Sequence, residues 1–411
     1  MVEPAPLLLN SVAASAASRA HMSAAIVDLE LSDRFVDAGG LDRYTSAYVV
    51  LRLDGVPVGH AWVPVRSCRL DWEELSKCAA AAVAPFSRVW VEHQLGRNPP
   101  GASPLPTATV AICTRDRAGE LTRSLSAAVA AAGGRPVMVI DNCPSTGATQ
   151  EVVSRWPAVR YVREDIPGLN AARNRALREA TTDVVAFTDD DAVPEAKWLE
   201  ALLRNFDHRL VLATTGLTLP LELETPAQVW FERFTPFGRG YFRQVFDPLY
   251  CSPHSAGRVG AGANMALRRS ALDLVGPFDE RLDAGTPTRS GGDHEMFSRI
   301  LSRGYRIVYD PAAVSRHRHR QSWSDLRHTI QGYGVGVYAM WTGHVLERGD
   351  VAVARQALRW ATRVQIPALV KAVFRRPGAA PLDLVLAELK GCLQGPFAWM
   401  ASRRRSARAG A

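Results

Sequence analysis

From Ala108 onward the sequence alternates short apolar runs with longer amphipathic stretches, and this rhythm limits the fold more than any other feature. Ala108–Thr114 (ATVAICT), Pro136–Asp141 (PVMVID), Val159–Val162 and Asp183–Thr188 (DVVAFT) have the length and continuous apolar character of strands buried on both faces. Glu120–Ala132, Thr149–Trp156 and Gly168–Ala180 carry helical patterns between them. Strands and helices in alternation imply a mostly parallel sheet flanked by helices. In such sheets ligands sit beyond the carboxyl ends of the strands, so the polar residues that follow each strand are the ones to inspect.

The flanks have a different character. Before the rhythm, YTSAYVVLRLDGVPVGHAWVPV reads as a hairpin turning at Asp54-Gly55, and Asp71 is placed to cap a helix through KCAAAAVA. The first 30 residues, rich in Ala and Ser, are expected to be poorly ordered, and Gly96–Pro106 has linker composition. Residues 1–105 are therefore expected to form a small N-terminal α+β unit, whose role is opaque, and 106–325 the α/β domain. Residues 326–411 should be a helical region interrupted at Pro367, Pro377, Pro381 and Pro396 and ending in a basic tail.

The 411 residues carry a formal charge of +8, which favours anionic partners without choosing among them. The six cysteines form no C-x-x-C pair, so neither a zinc knuckle nor a redox dithiol is indicated, and their scatter fits a reducing cytosol. The N-terminal stretch lacks the basic and long apolar parts of a secretory signal, and no run of about 18 apolar residues suggests a membrane span. A cytoplasmic protein is expected.

The chemistry concentrates at the strand ends. The first expected strand ends at Thr114-Arg115-Asp116-Arg117, the second at Asp141-Asn142, and the fourth at Asp189-Asp190-Asp191. Three adjacent carboxylates at a buried strand end repel one another, and a bound divalent cation would remove that cost. Hard oxygen ligands suit Mg2+ or Mn2+, and in an extended segment Asp189 and Asp191 point the same way. Taken alone, the run could instead be a solvated turn before a helix at Pro194–Leu203. Asp293, in GGDHEMFSR, could by itself be a helix cap. His317 and His319 alternate with arginines after YRIVYD.

In combination these segments resemble the inverting glycosyltransferases of family 2, which have the GT-A fold. The similarity covers about Thr107 to Arg320, with AICTRDR, VIDN, PGLNAARNRAL, FTDDDAVPEAKWL, GAGANMALRRSALDLVGPFDE, GGDHEMFSRIL and VYDPAAVSRHRH in the family's order. It implies a GT-A-type, Rossmann-like α/β domain that moves a sugar from a nucleotide-diphosphate sugar to an acceptor hydroxyl with Mn2+ or Mg2+. By this resemblance Thr114, Arg117 and Asp141 form the nucleotide pocket, Arg173 reaches the ribose or phosphate side, and Asp190 contacts the ribose. Asp189 and Asp191 are the metal carboxylates. His317 is the remaining ligand, with His319 competing. The Gly260-Ala-Gly262 loop lacks the third glycine of a dinucleotide motif. In the family it lies beside donor sugar and acceptor, so Asn264 is the expected contact there. Asp293 matches the catalytic base that takes the acceptor's proton. The family usually has an acidic residue just before this base; here Gly292 stands there.

UDP is the expected nucleotide, with GDP and dTDP as alternatives. The acceptor is expected to be a hydroxyl on a cell-envelope glycan, a glycolipid or a secondary metabolite. The aromatic-rich segment Leu219–Tyr250 suits either stacking on sugar rings or lipid or plain packing, and Gln356-x-x-Arg359-Trp360 has a form seen in processive synthases. Arginines mixed with apolar residues over Arg355–Arg376, and the Arg403–Arg408 tail, suggest peripheral contact with the inner face of a membrane. A second reading is a non-catalytic protein that binds a nucleotide or other anion on a degenerate form of the fold. Nucleic acid is not expected, because RNA-binding signatures are missing.

Overall fold

The computed structural model describes residues 23–33, 39–83 and 104–409. The expectations for the first 30 residues and for the linker at Gly96 fall mostly outside them. Strands β5 (Ala108–Thr114), β6 (Val137–Asn142), β7 (Val159–Glu164) and β8 (Val184–Asp189) pair in parallel in the order β7-β6-β5-β8. Helices α2 (Ala118–Ala132), α3 (Ala148–Ser154) and α4 (Leu169–Glu179) connect them. The strands are continuous apolar runs because both faces are covered: Val110, Ala111, Ile112, Val139 and Ile140 are fully buried.

Beyond β8 the sheet becomes mixed. β12 (Asn264–Arg268) lies antiparallel to β8 and to β10 (Val211–Pro220). β10 runs parallel to β13 (Arg306–His317), and β11 (Gln244–Phe246) closes the edge antiparallel to β13. Immediately after the aspartate run, β9 (Ala192–Pro194) pairs antiparallel with the end of β13, setting Ala192 opposite His317. The helix expected from Pro194 therefore starts later, as α5 (Trp198–Leu203). The intervening backbone donors and acceptors are used in a pairing to a strand more than 100 residues away, which local propensity cannot anticipate.

The N-terminal strands β1 (Ala25–Glu30), β2 (Ser46–Leu53), β3 (Val56–Arg66) and β4 (Arg69–Leu70) form a separate four-stranded sheet with α1 (Trp72–Val83) on it. Asp54 and Gly55 turn the β2–β3 hairpin with positive φ, and Asp71 accepts from the Glu74 N–H to cap α1. This sheet docks on the outer part of the larger domain. Arg52 and Arg316 clamp Asp28 and Glu195 between the two parts, and Tyr48 and Val50 join the apolar core of the larger sheet.

After β13 the chain is helical: α6 (Pro226–Phe234), α7 (Ala271–Leu274) and α8 (Gly292–Ser302) lie earlier, and α9 (Trp323–Arg348) begins the C-terminal part. It is followed by α10 (Val351–Trp360), a π-helical turn (Ala361–Gln365), α11 (Ile366–Val373) and α12 (Leu382–Ala409). Pro367 lies at the start of α11, directly after the π-helical turn, and Pro377 and Pro381 lie between helices. Pro396, expected to interrupt, lies inside α12. No helix among the described residues is long and apolar enough to cross a membrane.

α9 and α12 approach closely because glycines face each other. A Cβ at Gly334 would sit 2.5 Å from the Glu388 carbonyl oxygen, and one at Gly391 2.1 Å from that of Gln331. Helix propensity alone would favour alanine at Gly391 by about 1 kcal/mol. The contact reverses the sign: Gly391→Ala is expected to destabilise by about 1–3 kcal/mol through forced separation of the two helices. A denaturant midpoint that rises in Gly391→Ala would contradict this packing.

Candidate active site

A cavity of about 510 Å3 opens at the carboxyl ends of β5, β6 and β8, where the sheet changes from parallel to mixed. Its floor carries Thr114, Arg117, Asn142, Asp189, Asp190, Asp191 and His317, and helix α9 walls it with His328, Thr329, Gly332 and Tyr333.

The β9–β13 pairing explains how His317 meets the aspartates. Its Nε2 lies 3.0 Å from Asp191 Oδ1 and 3.8 Å from Asp189 Oδ2. The three ligand atoms are all within 4.8 Å of one another, as a single cation would require. Asp191 Oδ1 is buried, with the His317 ring nitrogen 3.0 Å away and no other group hydrogen-bonded to it. His317 Nδ1 is buried without a partner. Two hard carboxylate oxygens and one imidazole fit a divalent cation.

The competing His319 is spent elsewhere. Its Nε2 lies 3.0 Å from Glu232 of α6, its ring is 4.5 Å from that of Phe231, and burial lowers its pKa despite Glu232. His317 has the opposite balance. Burial would lower its pKa, but Asp191 and Asp189 outweigh this and raise it to about 10. Asp191 is held well below the usual carboxylate range: burial opposes this, and His317 and Arg117 overcome it. Asp190, one residue away, is pushed up to about 7 by burial, against the pull of Arg117 and a hydrogen bond from Thr114.

Arg117 forks across the aspartate run, with Nη1 2.6 Å from Asp190 Oδ1 and Nη2 2.7 Å from Asp191 Oδ2. Thr114 Oγ1 donates to Asp190 Oδ2 at 2.7 Å. Thr114, Arg117 and Asp190 are thus one hydrogen-bonded unit bordering the cavity. Asp141, beneath it, is fully buried; Tyr161 donates to its Oδ2 while its Oδ1 has no partner, and burial raises its pKa. It does not line the cavity.

Arg173, Asn264 and Asp293, like Asp141, lie outside the cavity lining. Arg173 is buried in α4 and directs Nη1 to Asp283 Oδ2 at 2.8 Å and to Asn170 at 3.1 Å, so it does not line the cavity. Asn264 has no free amide group. Trp198 donates to its Oδ1, and its Nδ2 donates to the carbonyls of Leu217 and Ala313. It ties β12 to β10 and β13 and offers nothing to a sugar. Asp293, at the start of α8, is partly exposed but outside the cavity lining. Its Oδ2 accepts the Gly262 N–H and its Oδ1 the His294 N–H, both at 2.8 Å. Burial would raise its pKa, but His294, Arg173 and the two N–H groups hold it below its ordinary value, so it is ionised at neutral pH.

Asp283, Tyr333 and Arg320 were not legible as site residues. Asp283 lines the cavity and pairs with Arg173. Tyr333 lines the cavity, and burial raises its pKa, with the charges of Arg320, Asp293, Arg239 and Asp189 also acting on it. The Gly-Gly before Asp293 could have flagged a close approach, but nothing local identifies what approaches. Gln356, Arg359 and Trp360 lie in α10, away from the cavity lining.

Residues 109–273 match the family described as Glycosyl transferase family 2. Pre-mycofactocin glycosyltransferase of Mycobacterium tuberculosis is 31% identical over 245 residues, which cover 59% of this chain and 49% of that protein. Succinoglycan biosynthesis protein ExoM of Rhizobium meliloti is 26% identical over 260 residues, covering 60% of this chain and 79% of ExoM. Among solved structures, mannosyltransferase PcManGT from Pyrobaculum calidifontis, in complex with GDP-Man and Mn2+, is 20% identical with a TM-score of 0.45, over 82% of this chain and 85% of that one. The chain spans about half the length of the M. tuberculosis relative. Residues 109–273, which hold the parallel half of the sheet and the aspartate run, are thus the part of the chain that is similar to glycosyl transferase family 2.

Proposed function

We propose that the protein is an inverting glycosyltransferase that uses a divalent cation and a nucleotide-diphosphate sugar to glycosylate a hydroxyl. The observation that carries this reading is the convergence of Asp189, Asp191 and His317 on one point of the cavity, with the buried Asp191 Oδ1 hydrogen-bonded to no other group. Asp189, Asp191 and His317 would hold the cation, which when bound neutralises the departing diphosphate. Arg117 and Thr114 keep Asp190 and Asp191 fixed.

Asp293 is the proposed base. The acceptor oxygen attacks the anomeric carbon as the bond to the diphosphate breaks, and the hydroxyl proton passes to the Asp293 carboxylate. Backbone N–H groups hold both its oxygens in place, and its depressed pKa keeps it ready to accept. One displacement inverts the anomeric configuration.

The acceptor is proposed to be presented at an anionic membrane surface. Leu358, Ile366, Val373, Phe374, Leu393 and Phe397 are each more than half exposed on the C-terminal helices. Arg359, Arg363, Arg375, Arg376, Arg403 and Arg404 are exposed beside them. Apolar side chains among exposed arginines suit shallow insertion among acidic head groups.

Calorimetric titration with UDP, GDP and dTDP, each with Mn2+ and with EDTA, is expected to show one nucleotide bound in a metal-dependent way; folded protein that binds none of them would return the non-catalytic reading. Asp191→Ala should abolish the metal dependence. Asp293→Asn should lower turnover by about 100- to 10,000-fold while nucleotide binding persists. Near-normal turnover would remove Asp293 from the base role. Replacing Leu393 and Phe397 together by serine should reduce co-sedimentation with vesicles containing phosphatidylserine, and unchanged association would exclude this face.

A further inference from the structure

Asp283 is a buried carboxylate that lines the cavity and has no part in the mechanism above. Its backbone is left-handed, with φ 82°, which a non-glycine residue adopts at a cost of about 1–3 kcal/mol. The conformation is fixed from several directions. Its N–H donates to Thr288 Oγ1, its carbonyl accepts from the Thr286 hydroxyl, and Thr288 Oγ1 also donates to the Arg281 carbonyl.

The loop thereby aims a carboxylate at a place where the chain makes room for it. A Cβ on Gly292 would lie 2.5 Å from Asp283 Oδ2 and 2.3 Å from the Asn170 amide nitrogen. Any side chain at 292 would thus collide with Asp283. Gly292 opens helix α8, whose N-terminal N–H groups favour an anion beside them. Asp283 also feels the adverse charge of Asp293, and burial raises its pKa despite Arg173. Asp283 is bonded to the same buried arginine whose charge also acts on the half-buried Asp293, an arrangement costly to maintain for packing alone.

The carboxylate is not saturated. Oδ1 accepts the Ala284 N–H at 2.9 Å and Oδ2 accepts Arg173 at 2.8 Å. Each oxygen keeps a further acceptor site, on the side chain that borders the same cavity as Asp189, Asp191 and His317.

We propose that Asp283 occupies the space left by Gly292 to accept a hydrogen bond from a hydroxyl of the donor sugar. This rests on the glycosyltransferase reading and names a specificity residue within it. The structural alternative is that Asp283 serves only as the counter-ion of Arg173, and the two differ in what they do to binding. A hydroxyl contact belongs to the sugar and is missing from the bare nucleotide.

The test is calorimetry in Mn2+ with UDP-glucose, GDP-mannose and dTDP-rhamnose, each set against its bare diphosphate. Binding of a bare diphosphate to the wild-type protein establishes the underlying reading; no binding of any probe overturns that reading and this proposal together. Given such binding, Asp283→Ala is expected to weaken the preferred sugar nucleotide by about 10- to 100-fold while bare diphosphate affinity is unchanged. Asp283→Asn keeps one acceptor oxygen at the same place and should retain part of the affinity that Asp283→Ala loses. Gly292→Asp should not bind the sugar nucleotide normally. Equal weakening of sugar nucleotide and bare diphosphate by Asp283→Ala would make Asp283 a counter-ion only. Unchanged affinity for both would also overturn the proposal while leaving the glycosyltransferase reading intact.

Discussion

Charge compensation at the carboxyl edge of the sheet is the constraint on which the site depends. Asp189, Asp190, Asp191, Asp283 and Asp293 gather there, several of them buried, and like charges in a low-dielectric setting cannot all stay ionised without counter-charges. Arg117, Arg173 and His317 supply them. The consequences differ sharply between neighbours. Asp191 has both His317 and Arg117 and lies well below its ordinary pKa, while Asp190 rises because burial, with the charge of Asp191 added, outweighs Arg117 and a threonine. Stranding either carboxylate by removing its partner would cost about 3–5 kcal/mol. Arg173 has an equivalent role deeper in: it is bonded to Asp283, and its field reaches Asp293 and Asp189.

Local pattern revealed much of the parallel half of the sheet. The continuous apolar runs at Ala108, Val137 and Val184 became strands because helices cover both faces, and that requirement is written residue by residue. The mixed half was less legible, since its order comes from pairings between distant segments. The clearest case is Ala192–Pro194, which reads as the approach to a helix yet pairs with His317. The same pairing brings His317 to Asp191. Spacing alone could not choose between His317 and His319, because the deciding residue, Glu232, belongs to a helix in the unpatterned aromatic stretch. Asn264 and Arg173 teach a related lesson. Both lie in segments that resemble the family, but sequence does not say whether a polar side chain faces a ligand or satisfies the fold, and Asn264 does the latter with every hydrogen bond it has.

The C-terminal helices are part of the site and not an appendage. α9 walls the cavity, and glycines let α12 lie close along it. α12 in turn holds the loop that presents Asp283. Leu282 is fully buried against Trp399, the Ser402 hydroxyl donates to the Arg281 carbonyl, and Arg405 donates to the carbonyl of Gly285. A left-handed residue persists only where its surroundings over-determine it, and here the determinants come from α12 as much as from the loop's own threonines. The helices that expose apolar and basic side chains are therefore joined by direct contacts to the loop that presents Asp283 to the cavity. Any force that shifts α12 must be transmitted to Asp283, because close-packed contacts of this kind do not deform gradually.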